Sequence, residues 1–396
     1  MLLQHKQVAI IGGGPGGLTL ARLLQQQGVE VKVYERDATP HARPQGSPLD
    51  LHHDTGLKAL AAAGLLDEFK QRYRPGADKM RILNSQLEIL LDGHTEPVST
   101  DFGDAHFRPE IDRGPLRDML VASLQAETVV WNARFVEMQP AGAGWNIQFE
   151  NGTLVYADIV VAADGANSKV RKYLTDSPPV YAGMTFLEGT IPQAEEQAPL
   201  LARLVQGGSL FALENGQFVS FLAKGDGSLL FWIWLKQPEN WLATSGLDLT
   251  DRVAVAAWFR QEFSTWSPQW LALFASEALT IVPRLAYCHP LDQPWPSRPN
   301  LTLLGDAAHR MPPNGEGVNQ AMADALDLSE ALCDSHFATL AQAIGSFEQK
   351  MGKRVARVAA ETRQLLDMMH ADNNQQLFLD FFGGGAAEPA RSEAAS

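Results

Sequence analysis

The sequence contains little cysteine and carries no excess of positive charge. Its 396 residues include two cysteines, Cys288 and Cys333, which cannot form a disulfide framework or a zinc cage. We expect both to be reduced, small buried residues, as in a reducing compartment. Lysine and arginine number 32 against 46 acidic residues, and the resulting net charge of −14 argues against nucleic acid or an anionic membrane as the main partner.

No segment has the length of a signal-peptide core or a membrane span. The N-terminal apolar run Val8–Ile11 leads directly into glycines, and the longest concentrated apolar stretch elsewhere, residues 229–235, is far below the ~18 residues of a membrane span. No H-E-x-x-H motif or nucleophile triad is visible, so we predict no metal site and assign no catalytic side chain. We interpret the His52-His53 pair as surface residues of a loop. The expected location is the cytoplasm.

The clearest local pattern is a βαβ unit at the N-terminus. Val8–Ile11 predicts an apolar strand, residues 12–17 a glycine turn, and residues 18–27 a helix. Gly28 stands where a helix C-terminal glycine belongs, and residues 29–34 predict the next strand.

The glycine turn matches the dinucleotide fingerprint G-x-G-x-x-G. Gly12 allows the tight turn, Gly14 lets the backbone approach a pyrophosphate, and Gly17 lets the helix pack close to the strand. The N-terminus of the helix predicted after this turn directs free N–H groups and a positive dipole end toward the phosphates. Glu35, at the end of the second strand, is placed to accept hydrogen bonds from a ribose. This acid disfavours a 2′-phosphate and leaves FAD or NAD; a structural glycine turn is the alternative.

Two further apolar strands end beside small residues and an aspartate. Residues 159–162 precede Asp164-Gly165, and residues 301–304 precede Gly305-Asp306. Three strands of this kind predict one open α/β sheet whose carboxyl edge holds a ligand. The alternatives are an ordinary Asp-Gly turn at Asp164 and a helix cap at Asp306.

Between these segments the sequence alternates apolar and polar residues and is richer in Trp and Pro. This pattern predicts a mostly antiparallel sheet inserted into the dinucleotide-binding fold. We predict an α/β (α+β) protein in which the Rossmann-like βαβ domain is discontinuous and a long C-terminal helix follows. The predicted parts are a cofactor-binding domain of residues 1–72, 107–178 and 291–333, a substrate-binding sheet domain of 73–106 and 179–290, a helical segment of 334–382, and a disordered tail of 383–396.

Three segments, in this order, resemble the FAD-dependent aromatic hydroxylases, the flavoprotein monooxygenases of the p-hydroxybenzoate hydroxylase type. They are GGGPGG…YER (12–36), DGANSKVR (164–171) and GDAAHRMPPNGEGVN (305–319). Short segments such as LDLH (49–52) are most similar to the tetracycline-inactivating (TetX-like) branch. The resemblance implies that NADPH or NADH reduces FAD, that O₂ adds at flavin C4a, and that the hydroperoxide hydroxylates an aromatic or polyketide-like molecule.

The resemblance also assigns residues to the cofactor. It places Asp306 on the ribityl chain, Asp164 in an element shared by FAD and NAD(P)H, and Arg43 and Arg113 near the pyrophosphate and flavin; solvated surface arginines are the alternative. It lays the helix that begins near Val318 against the pyrimidine end of the flavin. The predicted cofactor-binding residues are Gly12, Gly14, Pro15, Gly17, Glu35, Arg36, Arg43, Arg113, Asp164, Asp306, Pro313, Gly315, Gly317, Val318 and Asn319.

The inserted sheet departs from the tetracycline-inactivating branch where that branch binds the drug. Aligned by eye, Glu188, Ser209 and Leu230 stand in place of Gln, Arg and His, and Trp232 replaces a small residue. A pocket that loses hydrogen-bonding partners loses affinity, so we expect a different substrate and consider tetracycline hydroxylation doubtful. These four residues and Pro312 are the predicted substrate contacts, with ordinary core packing left open for Trp232.

Two other functions remain open on the same motifs. One is a flavin-dependent reductase or dehydrogenase that does not use O₂, and the other is a flavoprotein that sequesters a ligand with little turnover. For the monooxygenase we expect a small-molecule substrate and O₂ as partners, no nucleic-acid or membrane partner, and a monomer or weak dimer.

Overall fold

The computed structural model describes residues 2–42, 46–290, 295–312 and 315–383. The chain divides into two compact units. Unit 1 comprises the chain up to Pro75 together with Ser99–Ala182 and Ala286–Ala360, and unit 2 comprises Gly76–Val98, Gly183–Leu285 and the chain from Glu361 onward. The predicted tail lies outside the described residues from residue 384 onward, as do Arg43 and Pro313.

The secondary-structure elements are numbered in chain order. The strands are β1 Val8–Ile11, β2 Val31–Tyr34, β3 Leu49–Asp50, β4 Met80–Leu83, β5 Ile89–Asp92, β6 Glu110–Ile111, β7 Val129–Val130, β8 Phe135–Ala141, β9 Gly144–Phe149, β10 Leu154–Ala157, β11 Ile159–Ala162, β12 Val180–Ile191, β13 Ser209–Glu214, β14 Gln217–Ala223, β15 Leu229–Lys236, β16 Thr280–Cys288 and β17 Leu301–Leu303. The α-helices are α1 Pro15–Gln26, α2 Lys58–Ala62, α3 Leu66–Lys70, α4 Arg113–Ala122, α5 Ala194–Gln197, α6 Pro199–Val205, α7 Trp241–Ser245, α8 Arg252–Glu262, α9 Asp306–His309, α10 Gly317–Cys333, α11 Leu340–Met369 and α12 Asn374–Phe382.

Unit 1 is built on a five-stranded parallel sheet with the order β17-β11-β1-β2-β7. β1 and β11 are continuous apolar runs, VAII and IVVA, and every residue in them is buried, as expected for strands covered on both faces. The predicted strands 8–11 and 159–162 are confirmed. The first helix begins at Pro15 rather than at residue 18, because proline is preset for the first helical turn.

Two smaller antiparallel sheets complete the strands of unit 1. β8, β9 and β10 form a three-stranded sheet, and β3 pairs with β6 so that Asp50 lies opposite Glu110. The β3–β6 pair fixes the backbone at Asp50, two residues before His52. The position of this short strand matters for the site described below.

Unit 2 is built on a seven-stranded sheet with the order β16-β12-β15-β14-β13-β4-β5. β12, β15, β14 and β13 pair antiparallel, and β4 joins β13 in parallel. The predicted antiparallel character of this region is therefore confirmed. One face of the sheet packs in an apolar core with α8 and the 3₁₀ turn Pro268–Phe274. That core includes Leu187, Val219, Phe221, Phe231, Ile233, Phe259 and Trp270.

The opposite face of the same sheet is partly covered by the C-terminal chain of unit 2. Ile82, Leu213 and Phe218 of the sheet pack with Met369 at the end of α11 and Phe378 of α12. The remainder of this face carries the predicted substrate residues.

Three further expectations can be compared with the fold. Among the described residues no helix is long and apolar enough to cross a bilayer. Cys288 and Cys333 are free thiols but only half-buried, so the expectation of full burial was wrong. The boundary between the units falls within α11, which divides the predicted helical segment 334–382. The functions assigned to the domains stay predictions.

Candidate cofactor-binding site

The glycine turn between β1 and α1 has the geometry of a cradle. Gly12 has a φ of +112°, and a Cβ built there would lie 2.3 Å from the carbonyl oxygen of Ala163. A Cβ at Gly17 would lie 2.2 Å from the carbonyl oxygen of Gly12, whereas a Cβ at Gly14 meets no atom within 4 Å. Two glycines are therefore required by the fold itself, and Gly14 leaves its backbone open to a ligand at the N-terminus of α1.

Glu35 closes β2 with its carboxylate directed back at this turn. Its Oε2 accepts a hydrogen bond from the N–H of Gly13 at 2.6 Å, and its Oε1 accepts one from the N–H of Asp37 at 2.9 Å. A carboxylate offers about four acceptor positions, so each oxygen can still accept a hydroxyl proton. Glu35 is thus oriented by the backbone and retains capacity for a ribose.

Arg117 is a buried cation that the sequence patterns did not reveal. Its Nη2 lies 3.1 Å from Oδ2 of Asp37 and 3.8 Å from Oε2 of Glu35. Its Nε donates to the carbonyl oxygen of Gly13 at 3.2 Å, and its guanidinium lies over the ring of Trp131. It therefore compensates two buried carboxylates and ties α4 to the glycine turn. The available signal was a charge on the otherwise apolar face of that helix.

Asp164 follows β11 at the carboxyl edge of the sheet. Its Oδ2 accepts the N–H of Lys169 at 2.9 Å, while its buried Oδ1 has no hydrogen-bond partner among the described residues. Burial raises the pKa of this carboxyl group, although hydrogen bonds from Ser168 and Lys169 oppose the rise. An unpartnered buried oxygen beside a cavity is the kind of atom that a bound polar ligand satisfies.

Asp306 follows β17 as the first residue of α9, with Gly305 in the cap position, so it is not the helix cap. Gly305 has a φ of +58°, a conformation that favours glycine, and its N–H donates to Oδ2 of Asp324 at 2.7 Å. The neighbours of Asp306 are buried while Asp306 itself is exposed. The turn therefore directs this one carboxylate outward.

Asp324, on α10, accepts the hydrogen bond that holds the Gly305 turn. It is fully buried and also contacts Nε2 of His309 at 2.6 Å and Nη2 of Arg354 at 2.7 Å. Burial would raise the pKa of Asp324, but His309, Arg354 and the Gly305 N–H together hold it below its usual value. Asp324 and Arg354 were not predicted, because their partners come from separate elements.

These parts surround one cavity of ≈ 350 Å³ in unit 1. Eleven of the predicted cofactor residues line it, and the missed lining includes Arg134, Phe135 and Lys169. The eleven are Gly12, Gly14, Pro15, Gly17, Glu35, Arg36, Arg113, Asp164, Asp306, Gly317 and Val318. Gly315 and Asn319 are not among the lining residues.

The side chain of Asn319 instead makes hydrogen bonds within the fold. It is fully buried; its Nδ2 donates to the carbonyl oxygen of Asp50 and its Oδ1 accepts the N–H of His52, both at 2.9 Å. Both ends of its side-chain amide are engaged with the backbone after β3, and the assignment of Asn319 to the cofactor stays a prediction.

The predicted substrate residues of unit 2 share one face of its sheet. Ser209 and Leu230 lie in one row across the strands, because both are in register with Leu222 of β14. Glu188 and Trp232 lie opposite each other in the next row. Pro312 belongs to unit 1 and is half-buried.

Glu188 is already engaged within this face. Its Oε2 accepts the indole N–H of Trp232 at 3.0 Å, and its Oε1 accepts Nη2 of Arg284 at 2.8 Å. The side chain of Arg284 is 56% exposed, so its guanidinium is a charged donor on this face.

The residues present fit a dinucleotide. The glycine cradle and the N-terminus of α1, which has no acidic residue in its first turn, suit a pyrophosphate. Carboxylates of Glu35, Asp164 and Asp306 supply acceptors for ribose and ribityl hydroxyls. The fold and the site therefore define a dinucleotide-binding α/β protein.

Comparison with known proteins specifies the dinucleotide. The family described as FAD binding domain matches residues 5–183 and 296–343, more than half of the chain. The chain belongs to this family.

Named relatives define the reaction class. The monooxygenase asqM of Emericella nidulans is 28% identical over 386 residues, covering 84% of this chain and 85% of its own length. An FAD-dependent urate hydroxylase of Mycolicibacterium vanbaalenii is 26% identical, covering 93% and 90%. The protein is an FAD-dependent monooxygenase, an oxidoreductase with NAD(P)H as its reductant.

Solved structures confirm the fold. The tetracycline destructase Tet(55) superposes with a TM-score of 0.73 and 17% identity, covering 97% of this chain and 96% of that chain. The similarity to the tetracycline-inactivating branch is thus present in the fold, and at this identity it carries no information about the substrate.

Proposed function

We propose that the protein inserts one oxygen atom of O₂ into an aromatic or polyketide-like ring that carries an acidic group. The observation that carries the proposal is the cavity at the carboxyl edge of the parallel sheet, where the glycine cradle and three carboxylates converge. The urate hydroxylase among the relatives acts on an acidic ring compound, which supports this substrate class. NAD(P)H supplies two electrons, and the second oxygen atom leaves as water.

FAD, when bound, supplies the redox chemistry with O₂. The protein's residues hold and orient it. The Gly14 backbone and the N-terminus of α1 bind the pyrophosphate, Glu35 accepts a ribose hydroxyl, and Asp306 accepts ribityl hydroxyls. The N-terminus of α10 at Gly317 stabilises negative charge on the ring system without a lysine.

The substrate class follows from unit 2. Because Glu188 is engaged by Trp232 and Arg284, it is not the main partner of an incoming ligand. Arg284 presents a half-exposed guanidinium whose orientation Glu188 fixes, and such a group binds carboxylates and phenolates in two-point contact. Trp232 adds an aromatic surface beside it. Leu230 offers a tetracycline no polar group, so we expect that drug to be a poor substrate.

The experiment measures substrate-stimulated NADPH oxidation and oxygen incorporation from ¹⁸O₂. Ring compounds are tested in matched pairs with and without an acidic group, with a tetracycline as one further compound. We expect the acidic member of a pair to accelerate NADPH oxidation and to gain one labelled oxygen. If flavin reduction proceeds but no compound gains the label, the protein is not the proposed hydroxylase.

Arg284→Gln tests the role of the cation. Loss of one charge-assisted hydrogen bond costs about 1.5–3 kcal/mol, so kcat/KM for the acidic compound should fall roughly 10- to 100-fold. The value for its neutral partner should stay close to that of the wild type, and Arg284→Lys should recover part of the loss. An equal loss for both compounds would contradict the proposed contact.

We keep a monomer or weak dimer in the cytoplasm as part of the proposal. Light scattering coupled to size exclusion, at several protein concentrations, tests the assembly directly. A concentration-independent higher oligomer would contradict it.

A further inference from the structure

A cluster of charged side chains joins β3 to the turn before α10 within unit 1. Nε2 of His52 lies 2.8 Å from Oδ2 of Asp50, and Nδ1 of His52 lies 3.2 Å from Oε1 of Glu316. The His52 side chain is 14% exposed, so the interpretation of this residue as a surface histidine was wrong. One imidazole therefore contacts two carboxylates from segments that are far apart in the sequence.

The charge on this imidazole is set by its surroundings. Burial would lower the pKa of His52, but the hydrogen bonds and charges of Asp50 and Glu316 outweigh burial and raise it to about 9. Arg108 also faces the ring, with Nη1 2.9 Å from Nε2. That guanidinium is 56% exposed and screened by water, so the two carboxylates decide the balance. At neutral pH the ring is an imidazolium whose Nδ1 faces Glu316 and whose Nε2 lies between the Asp50 carboxylate and the Arg108 guanidinium.

The cluster lies at the start of α10. Glu316 immediately precedes Gly317, and Gly317 and Val318 line the cofactor cavity. The amide of Asn319 joins the same helix turn to the backbone at Asp50 and His52. The neutral Asn319 contacts persist at all pH values, whereas the His52–Glu316 contact is an ion pair only while the ring carries both protons. The helix end beside the cavity therefore has one neutral connection to the segment after β3 and one whose charge titrates.

We propose that protonated His52 is a positioning residue that holds the N-terminus of α10 against β3 and thereby strengthens FAD binding. The proposal rests on the proposed assignment of this cavity to FAD. It adds a pH dependence to that site. The folded apoprotein keeps the His52 ring charged up to about pH 9, so the contribution to binding is present below that pH and is lost as the pH rises above it.

The test is the dissociation constant of FAD from the apoprotein, measured by flavin fluorescence from about pH 6 to about pH 10.5. For the wild type we expect binding to weaken on the order of tenfold as the pH rises through about 9, the size of one charge-assisted hydrogen bond. His52→Gln removes the titrating group and should bind FAD at the weaker level throughout. Flavin ionisation is common to all proteins compared and cancels between them.

Two further variants separate the role from general damage. His53→Gln changes the neighbouring histidine, whose contact is with exposed Asp54, and should keep the wild-type step. Glu316→Gln removes one of the two carboxylates and should move the step to lower pH. Far-UV circular dichroism of each apoprotein shows whether it is folded.

The outcomes are distinct. A wild-type constant that is flat through pH 9, or a step retained in His52→Gln, overturns the role of His52 and leaves the hydroxylase proposal intact. The expected steps, found together with no oxygenated product from any ring compound, would support the role of His52 and contradict the proposed function.

Discussion

Gly14 offers a substitution that separates cofactor binding from folding. Its φ of −81° is ordinary for alanine, and a Cβ built there meets no atom within 4 Å. Because the methyl group neither clashes nor strains the backbone, we expect Gly14→Ala to change the free energy of unfolding of the apoprotein by less than about 0.5 kcal/mol. Gly14 lines the cavity, so we expect the same methyl group to occupy space through which a pyrophosphate approaches the backbone N–H groups.

The expected loss of affinity follows from that approach. Moving the phosphate out of reach of one N–H costs about 1.5–3 kcal/mol, the value of a hydrogen bond to a charged group. FAD binding should therefore weaken roughly 10- to 100-fold. Flavin fluorescence during titration of the apoprotein measures the affinity, and urea unfolding followed by circular dichroism measures the stability.

Gly17→Ala is the matched comparison in the same loop. Its Cβ would lie 2.2 Å from the carbonyl oxygen of Gly12 and 3.2 Å from Cγ2 of Ile10, so the backbone has to move. Overpacking of this kind costs about 1–3 kcal/mol, and both stability and FAD affinity should fall. The reasoning is refuted if Gly14→Ala binds FAD as tightly as the wild type, or if it loses as much stability as Gly17→Ala.

Three other substitutions test the supporting contacts. Arg117→Met removes the cation that pairs with buried Asp37 and should lower the free energy of unfolding in urea by about 3–5 kcal/mol. Arg117→Lys should be less severe, and equal stability of the methionine variant and the wild type would contradict the buried pairing. Asp324→Asn should destabilise the apoprotein. The wild type should lose stability below about pH 4, because the depressed pKa of Asp324 contributes stability that is lost on acidification, and this loss should be smaller in the variant. An unchanged acid profile in urea titrations would refute this. Phe378→Ala should cost about 3–5 kcal/mol in the unfolding of unit 2 and leave FAD affinity unchanged; a large loss of affinity would count against the assignment of FAD to unit 1 alone.

The sequence predicted the parts of the site that are local. The strand Val8–Ile11, the glycines after it and the acid at Glu35 follow one another within a short stretch, and their spacing alone defines the turn. Asp164 and Asp306 were found because each follows an apolar strand of the same parallel sheet. Strand ends of one sheet meet at one edge, so these residues converge on one cavity.

The supporting residues were missed because they act across long separations. Arg117 contacts Gly13, and Arg354 contacts Asp324, in both cases between different elements. A buried cation on a helix has no spacing signature; only the position of its partner distinguishes it from a solvated arginine. Asn319 lies inside a motif that resembles a cofactor contact, and the motif did not indicate that its side-chain amide joins the backbone after β3.

The order of the parallel sheet has a consequence for synthesis of the chain. β11 receives its outer neighbour, β17, only when residues 301–303 have emerged, although β11 itself ends at Ala162. Until then a nascent chain exposes the edge of a fully apolar strand, the kind of edge that pairs with other chains. Translation that stops before residue 301 would leave a product with an open edge and without the Gly305-Asp306 turn. We expect quality-control proteases to recognise such an exposed edge as a sign of an incomplete chain.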